Sequence, residues 1–237
     1  MAIIGTSKRP GVAARIREMV ARGELIQGQR LTEAELAQML GVSRTPIRQA
    51  LPMLEVEGLL ARVGARGYEV RDFDEREVMD SLDVRGALEG LAARNLCERG
   101  LPPGLVEQLR ACLAEGDALL AEGEPAAHEN AYPDMNHRFH NLILEAADSQ
   151  VIRQAMRNIS SSSLPFATPD APVFNHAQRE ALIAIMRNAH FQHHAIVDAL
   201  THRQGARVDA LFREHVHAAK AAFHLARDML KDSDSIA

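Results

Sequence analysis

The chain has 237 residues, of which 46% are hydrophobic, and a formal net charge of −5. This length predicts two modest domains with true hydrophobic cores. We expect a soluble, cytoplasmic protein without a signal peptide or membrane span, because the N-terminal apolar run is short and no stretch approaches about 18 apolar residues. The two cysteines, Cys97 and Cys112, fall on apolar helical faces and indicate reduced core thiols rather than a disulfide scaffold.

The charge is divided unevenly along the chain. Residues 1–72 contain 11 Lys and Arg against 8 Asp and Glu, whereas residues 73–237 contain 16 against 24. A mildly basic segment before an acidic one is compatible with DNA binding through a concentrated local patch. The charged segment Asp72–Glu77 predicts the join, which gives one domain over 1–72 and a second over 73–237.

The segment Leu31–Leu60 has the pattern of two short helices around a glycine turn. Thr32 and Glu35 can form a capping box at the start of the first helix, and Gly41 ends that helix. Pro46 falls in the opening turn of the second helix, where its missing amide hydrogen costs little. This pattern is typical of a helix-turn-helix that presents a reading helix to DNA. A solvated amphipathic hairpin is the alternative.

The start of the second helix carries the candidate DNA contacts. Helical spacing leaves four polar residues near its exposed leading end: Arg44, Thr45, Arg48 and Gln49. Arg side chains fit the guanine edge and Gln fits adenine, and either Ser43 or Thr45 can cap the helix. Pro52 lies in the helix interior, where proline usually kinks a helix. We expect the reading end of the helix to survive, and the packing of Met53–Leu60 is left open.

Two short strands are predicted after the second helix, over Leu59–Arg62 and Tyr68–Arg71. The Gly-rich turn Val63–Gly67 joins them, with Arg66 near its tip. A two-stranded wing of this kind can place an arginine in the minor groove. An ordinary hairpin with a solvated arginine is the alternative.

The remainder of the chain has a helical pattern, with no alternating run long enough to require a sheet. The predicted helices are Val78–Arg99, Leu105–Glu122, Glu129–Ala147, Gln150–Ser160, Ala177–Thr201 and Gly205–Lys231. The interruption Ser160–Phe174 is predicted as a linker, with a lid beside a cavity as the alternative. The fold class is therefore mostly α: an N-terminal winged helix-turn-helix followed by an antiparallel bundle of about six helices.

All 11 histidines lie after residue 127, and helical periodicity divides most of them into two sets. The set on apolar faces is His140, His193 and His215. The set on polar faces is His194, His217 and His224. Three neutral imidazoles can share one divalent cation, whereas separate core histidines each need a hydrogen-bond partner. Both arrangements fit the periodicity, and His190, one turn before His193 and His194, is a rival ligand.

These motifs together resemble the GntR family of bacterial transcription regulators, in its FadR-like branch. The run LAQMLGVSRTPIRQAL at 36–51, the turn at 57–59 and the wing at 64–68 carry the resemblance. The resemblance implies that Arg44 and Arg48 read bases. It also implies phosphate contacts from Ser43, Thr45 and the wing, which includes Arg66 and Gly67. Three positions depart from the usual pattern: Gln27, Gln49 and Pro52.

The segment that follows the wing, residues 73–237, resembles the ligand-binding FCD domain of this branch. That resemblance implies a divalent metal, most often zinc, held by a carboxylate and a histidine one turn apart with two later histidines. The matching residues here are Asn136, His140, His193 and His215. Asn136 stands at the usual Asp position, so it adds no charge and predicts weaker metal binding. Arg85 matches a basic residue that can face an effector carboxylate, or it is a surface salt-bridge partner.

We therefore interpret the chain as a ligand-responsive repressor that binds an inverted-repeat operator as a homodimer and senses a small organic acid. A molecule in the bundle would change the relative placement of two reader domains. The wing and the segment VRGALEG at 84–90 are similar to vanillate-type regulators, which favours an aromatic acid. The alternatives are a metal sensor without organic ligand and a metal-dependent hydrolase. The hydrolase is disfavoured because HExxH and G-x-S-x-G motifs are absent from the sequence.

Overall fold

A computed structural model describes residues 11–21, 24–64, 67–71, 74–121, 131–160 and 176–234. Over these ranges the chain forms nine helices and three short strands. It divides into two compact units, one holding the described residues up to Glu77 and the other beginning at Val78. Within the described ranges, none of the helices combines the length and apolar character needed to cross a membrane.

The N-terminal elements form a small helical unit with a three-stranded sheet. In chain order they are α1 Val12–Ala21, β1 Arg30–Leu31, α2 Glu33–Leu40, α3 Arg44–Val56, β2 Leu60–Val63 and β3 Gly67–Val70. The sheet is antiparallel in the order β1-β3-β2. Tyr68 of the central strand pairs with Leu31 on one side and with Arg62 on the other. The predicted wing is confirmed, and α1 and β1 are additions to the sequence-based prediction.

The boundaries of α2 are fixed by local hydrogen bonds, as predicted. The Thr32 hydroxyl accepts a hydrogen bond from the Glu35 amide, and the Glu35 carboxylate accepts one from the Thr32 amide. Gly41 ends the helix in the left-handed conformation, with φ of 64°, which an L side chain rarely adopts. Ser43 is the N-cap of α3, although its side chain makes no capping hydrogen bond.

Pro52 does not end the second helix. Helix α3 continues from Arg44 to Val56 with Pro52 inside it. The packing of Met53–Leu60, which the sequence left open, is retained, because Leu54, Leu59 and Leu60 are all buried in the core of the unit. Arg17 of α1 also anchors the turn after α3 through a two-pronged ion pair with Glu57, with N–O distances of 2.7 and 2.8 Å. Burial of the flanking leucines therefore outweighs the loss of one helical hydrogen bond.

Six helices follow, as predicted. They are α4 Glu75–Arg99, α5 Leu105–Ala121, α6 Ala131–Ala146, α7 Gln150–Ser160, α8 His176–Thr201 and α9 Gly205–Asp234. Phe139 and Phe212 lie fully buried at the centre of their shared core, and Cys97 and Cys112 are free, buried thiols. The predicted linker lies outside the described residues, apart from Ser160 at the end of α7.

Two glycines allow α4 to lie very close to α9. A Cβ added at Gly86 would come within 2.5 Å of Val216 Cγ1, and one at Gly90 within 2.7 Å of Asp209 Oδ1. These distances leave no room for a side chain at either position. Glu89 lies between these two glycines in the sequence, and the close approach of the helices places it beside His140 in the core.

Candidate functional site

The three histidines predicted on apolar faces converge in the core of the helical unit. His140 comes from α6, His193 from α8 and His215 from α9, and all three are buried. One ligand nitrogen from each lies within 4.8 Å of the other two. Helical phase left open whether these histidines meet or lie apart in the core, and the fold brings them together.

Neighbouring side chains fix the orientation of two of these rings. The Nδ1 atom of His140 lies 3.0 Å from Glu89 Oε2, and that of His215 lies 2.9 Å from Gln192 Oε1. A carboxylate and an amide oxygen only accept hydrogen bonds, so both Nδ1 atoms carry the proton. In the neutral form of each ring, the Nε2 atom then keeps its lone pair, which is the tautomer that a metal ligand requires.

Two of these imidazoles, those of His193 and His215, have lowered pKa values and are neutral at neutral pH. Burial lowers the pKa of His193 well below its usual range, and repulsion from His215 and His140 lowers it further. Burial, followed by repulsion from His140, lowers the pKa of His215 to about 3. At neutral pH both rings therefore present unprotonated nitrogens that can act as ligands.

The donor set fits a zinc-like cation. The Nε2 atoms of His193 and His215 lie 3.1 Å apart, close to the roughly 3.3 Å edge of a tetrahedron with Zn–N bonds of about 2.0 Å. Among the described residues, His140 Nε2 is buried without a hydrogen-bond partner. Asn136 is half-buried one turn earlier on α6, and its role as the fourth ligand stays a prediction.

Glu89 is the functional residue that the sequence analysis missed. Burial by itself raises the pKa of its carboxyl, but attraction to His140 and Arg85 and the hydrogen bond from His140 lower it to about 2. The side chain is therefore a buried carboxylate that orients a histidine. The available signal was a lone acid within the small and apolar run at 86–93, four residues after Arg85.

Arg85 forms a salt bridge, as the alternative interpretation held, but with the buried Glu89. The Nε of Arg85 lies 3.6 Å from Glu89 Oε1, and the Arg85 side chain is mostly buried. That Nε atom is buried without a hydrogen-bond partner among the described residues. Glu89 therefore links Arg85 to the three-histidine cluster, and the contact of Arg85 with an effector stays a prediction.

Four other histidines named in the sequence analysis are not part of this cluster. His194 and His217 are exposed and His224 is half-buried, in keeping with their polar helical faces. His190 is buried, but its Nε2 faces Leu113 and Asp117 of α5. The rival ligand therefore belongs to a different group of side chains, which also includes His194.

The candidate DNA contacts form one exposed surface at the start of α3. The exposed residues there are Ser43, Arg44, Thr45, Arg48 and Gln49. Arg48 pairs with Glu33 of α2, with an Nη2–Oε2 distance of 2.8 Å. In the wing, a Cβ added at Gly67 would come within 2.8 Å of the Val63 carbonyl oxygen, so this position favours glycine. Arg66 lies outside the described residues.

The comparisons with known proteins agree with this architecture. The family model described as bacterial regulatory proteins of the gntR family matches residues 8–70, and the FCD domain model matches residues 80–218. The chain belongs to the GntR family and carries an FCD domain. This GntR regulator is therefore a transcription regulator rather than an enzyme.

Curated relatives of this GntR regulator have the same class of function. It is 32% identical over 133 residues to the Nta operon transcriptional regulator of Aminobacter aminovorans, a match that spans 56% of this chain and 60% of that protein. It is 28% identical to a protein of Paenarthrobacter nicotinovorans named as a probable D-xylose utilization operon transcriptional repressor, over 82% of each chain. The match to the first of these relatives thus covers less than two thirds of its length.

A solved structure shows the same fold. The structure of E. coli McbR/YncC superposes with a TM-score of 0.70 at 21% identity, over 87% of this chain and 92% of that chain. At this identity the likeness concerns the fold alone.

Proposed function

We propose that this GntR regulator is a repressor that holds one divalent cation, most simply zinc, with His140, His193, His215 and Asn136. The observation that carries the proposal is the meeting of three buried imidazoles from three helices, within 4.8 Å of one another. Neutral imidazoles and an amide oxygen form a donor set suited to zinc and neighbouring transition metals.

The effector in this proposal is a small organic acid, with an aromatic acid as the first candidate. When bound, the cation supplies a positive charge that attracts a carboxylate. Glu89 and Gln192 hold two of the histidine rings by accepting hydrogen bonds from their Nδ1–H groups. Arg85, whose Nε lacks a hydrogen-bond partner among the described residues, offers a second cationic group to the acid.

The operator in this proposal is an inverted repeat bound by a homodimer. One reading helix contacts too few base pairs to specify a site in a genome, so two half-sites are needed. The exposed start of α3 supports base reading by Arg44, Arg48 and Gln49 and phosphate contacts by Ser43 and Thr45. The wing residues Arg66 and Gly67 would add contacts in the minor groove.

Zinc titration followed by operator binding tests the proposal. We expect metal-stripped protein to bind zinc tightly, and an aromatic acid to weaken operator binding only when zinc is present. His193→Ala should abolish the zinc-dependent response, whereas the exposed His217→Ala should retain it. A response to zinc alone, without any acid, would instead favour a metal sensor. A response to acid in metal-free protein would exclude the metal from effector binding.

A further inference from the structure

We propose that Asp117, His190 and His194 form a second site for a divalent cation, between α5 and α8. Asp117 lies on α5, and the two histidines lie on α8. The ligand atoms of the three side chains lie within 4.8 Å of one another. None of these residues belongs to the three-histidine cluster in the core.

The spacing of the ligand atoms matches a metal site. Asp117 Oδ1 lies 3.2 Å from His190 Nε2 and 3.0 Å from His194 Nε2. Both are hydrogen-bond distances, and they are also close to the roughly 3.3 Å that separates two ligands on a tetrahedral zinc ion. A cation can therefore take the place of the shared protons with little movement of the side chains. His190 and His194 are four residues apart on one helix, so they project from the same face without any distortion of the backbone.

The packing of His190 holds this spacing in place. Its side chain is 5% exposed, and its ring meets Tyr132 edge-on with the centroids 5.9 Å apart. A Cβ added at Gly116 would lie 2.2 Å from the Cε1 atom of His190, so the ring occupies space that only glycine leaves free. The Nε2 atom is also 3.2 Å from the Leu113 carbonyl oxygen, which only accepts hydrogen bonds, so without metal Nε2 carries a proton that a cation displaces on binding. The ring is therefore held with Nε2 toward Asp117.

The other two proposed ligands, Asp117 and His194, are exposed, so a cation can reach the site from solvent. The side chains of Asp117 and His194 are 57% and 44% exposed. Both line a surface cavity of about 360 Å³, which Arg110 and His202 also line. Water or an anion from that cavity can complete the coordination sphere. A site with one buried ligand and two accessible ligands is expected to exchange its metal more readily than a fully buried one.

The donor set selects the class of cation. Two imidazoles and one carboxylate suit zinc, cobalt or nickel, whereas magnesium and calcium prefer sites built from oxygen ligands alone. The second site and the proposed core site both use histidines of α8. The rings of His190 and His193 have centroids only 5.8 Å apart. The two sites therefore need separate variants to be distinguished.

Metal stoichiometry in the full-length protein tests the second site. Protein stripped with a chelator is titrated with zinc against a chromophoric competitor, and with cobalt by visible absorption. We expect the parent to bind two equivalents per chain, and His194→Ala and Asp117→Asn each to bind one. His202→Ala is the matched control, because His202 lines the same cavity and its side chain is 62% exposed. This variant should still bind two equivalents of zinc. Thermal unfolding in chelator verifies that each variant is folded.

The outcomes separate the two sites. If His193→Ala loses one equivalent and His194→Ala loses the other, both sites are supported. A single equivalent that survives in His193→Ala but not in His194→Ala would support the second site and contradict the core site. The second site is wrong if the parent binds one equivalent that His194→Ala retains, or if both equivalents persist when His194 and Asp117 are replaced together.

Discussion

Replacing Glu89 tests the core metal centre through a residue that is not itself a ligand. The change Glu89→Gln keeps the volume of the side chain and an oxygen that can accept a hydrogen bond from His140 Nδ1, but it removes the negative charge. His140 then becomes a less basic metal ligand. The guanidinium of Arg85, 3.6 Å from the carboxylate, loses its counter-charge. We therefore expect both lower stability and weaker zinc binding.

The pKa of Glu89 sets the scale of the effect on stability. That pKa is about 2 in the fold, against an ordinary value of 4.5, and each unit corresponds to about 1.4 kcal/mol. Loss of the charge thus lowers the free energy of unfolding at neutral pH by less than about 3 kcal/mol, because part of the lowered pKa comes from attraction to His140 and His215 in their charged forms. His215, with a pKa of about 3, is neutral at that pH. Because the folded pKa is lowered, this contribution is present above pH 4.5 and disappears as the pH falls toward 2. The difference between parent and variant should close over that range.

The effect on zinc follows from the loss of an orienting partner, which typically weakens a metal site by about 10- to 100-fold. Chelator competition at neutral pH measures the zinc dissociation constant, and urea unfolding of metal-free protein measures the stability. Glu214→Gln is the matched control, because Glu214 is exposed on α9 next to His215 in sequence, and it should change neither quantity. If Glu89→Gln binds zinc as tightly as the parent and unfolds at the same urea concentration, Glu89 does not support the site.

Three further changes test other parts of the proposal. Arg48→Ala should weaken operator binding by roughly 5- to 150-fold and relax the preference at one base pair; unchanged affinity at physiological salt in a mobility-shift titration would contradict base reading. Asn136→Asp should tighten zinc binding roughly tenfold by adding a charged ligand, and equal dissociation constants would mean that position 136 does not ligate. Gly116→Ala should lower the free energy of unfolding by about 1–3 kcal/mol through overpacking against His190, measured by urea unfolding. A variant as stable as the parent would mean that the His190 ring can move aside.

Local sequence was sufficient wherever the interacting groups lie a few residues apart. The capping box of Thr32 and Glu35 spans three residues, and the left-handed Gly41 follows directly at the end of the same helix. Helical phase likewise predicted that His140, His193 and His215 face inward, because burial follows the 3.6-residue period along a helix. These features require no information about which helices are neighbours.

Tertiary packing decided the rest, because it joins residues that no local period relates. Glu89 meets His140 across 51 residues, and Asp117 meets His194 across 77. The strand β1 exists only because β3 pairs with it, and Pro52 is tolerated because the leucines around it are buried. The sequence by itself determined the order of the helices, the polar and exposed start of α3, and the inward-facing positions of His140, His193 and His215. Only the packed structure determined which carboxylates accompany the histidines, since a buried acid is stable only where the fold brings it a partner.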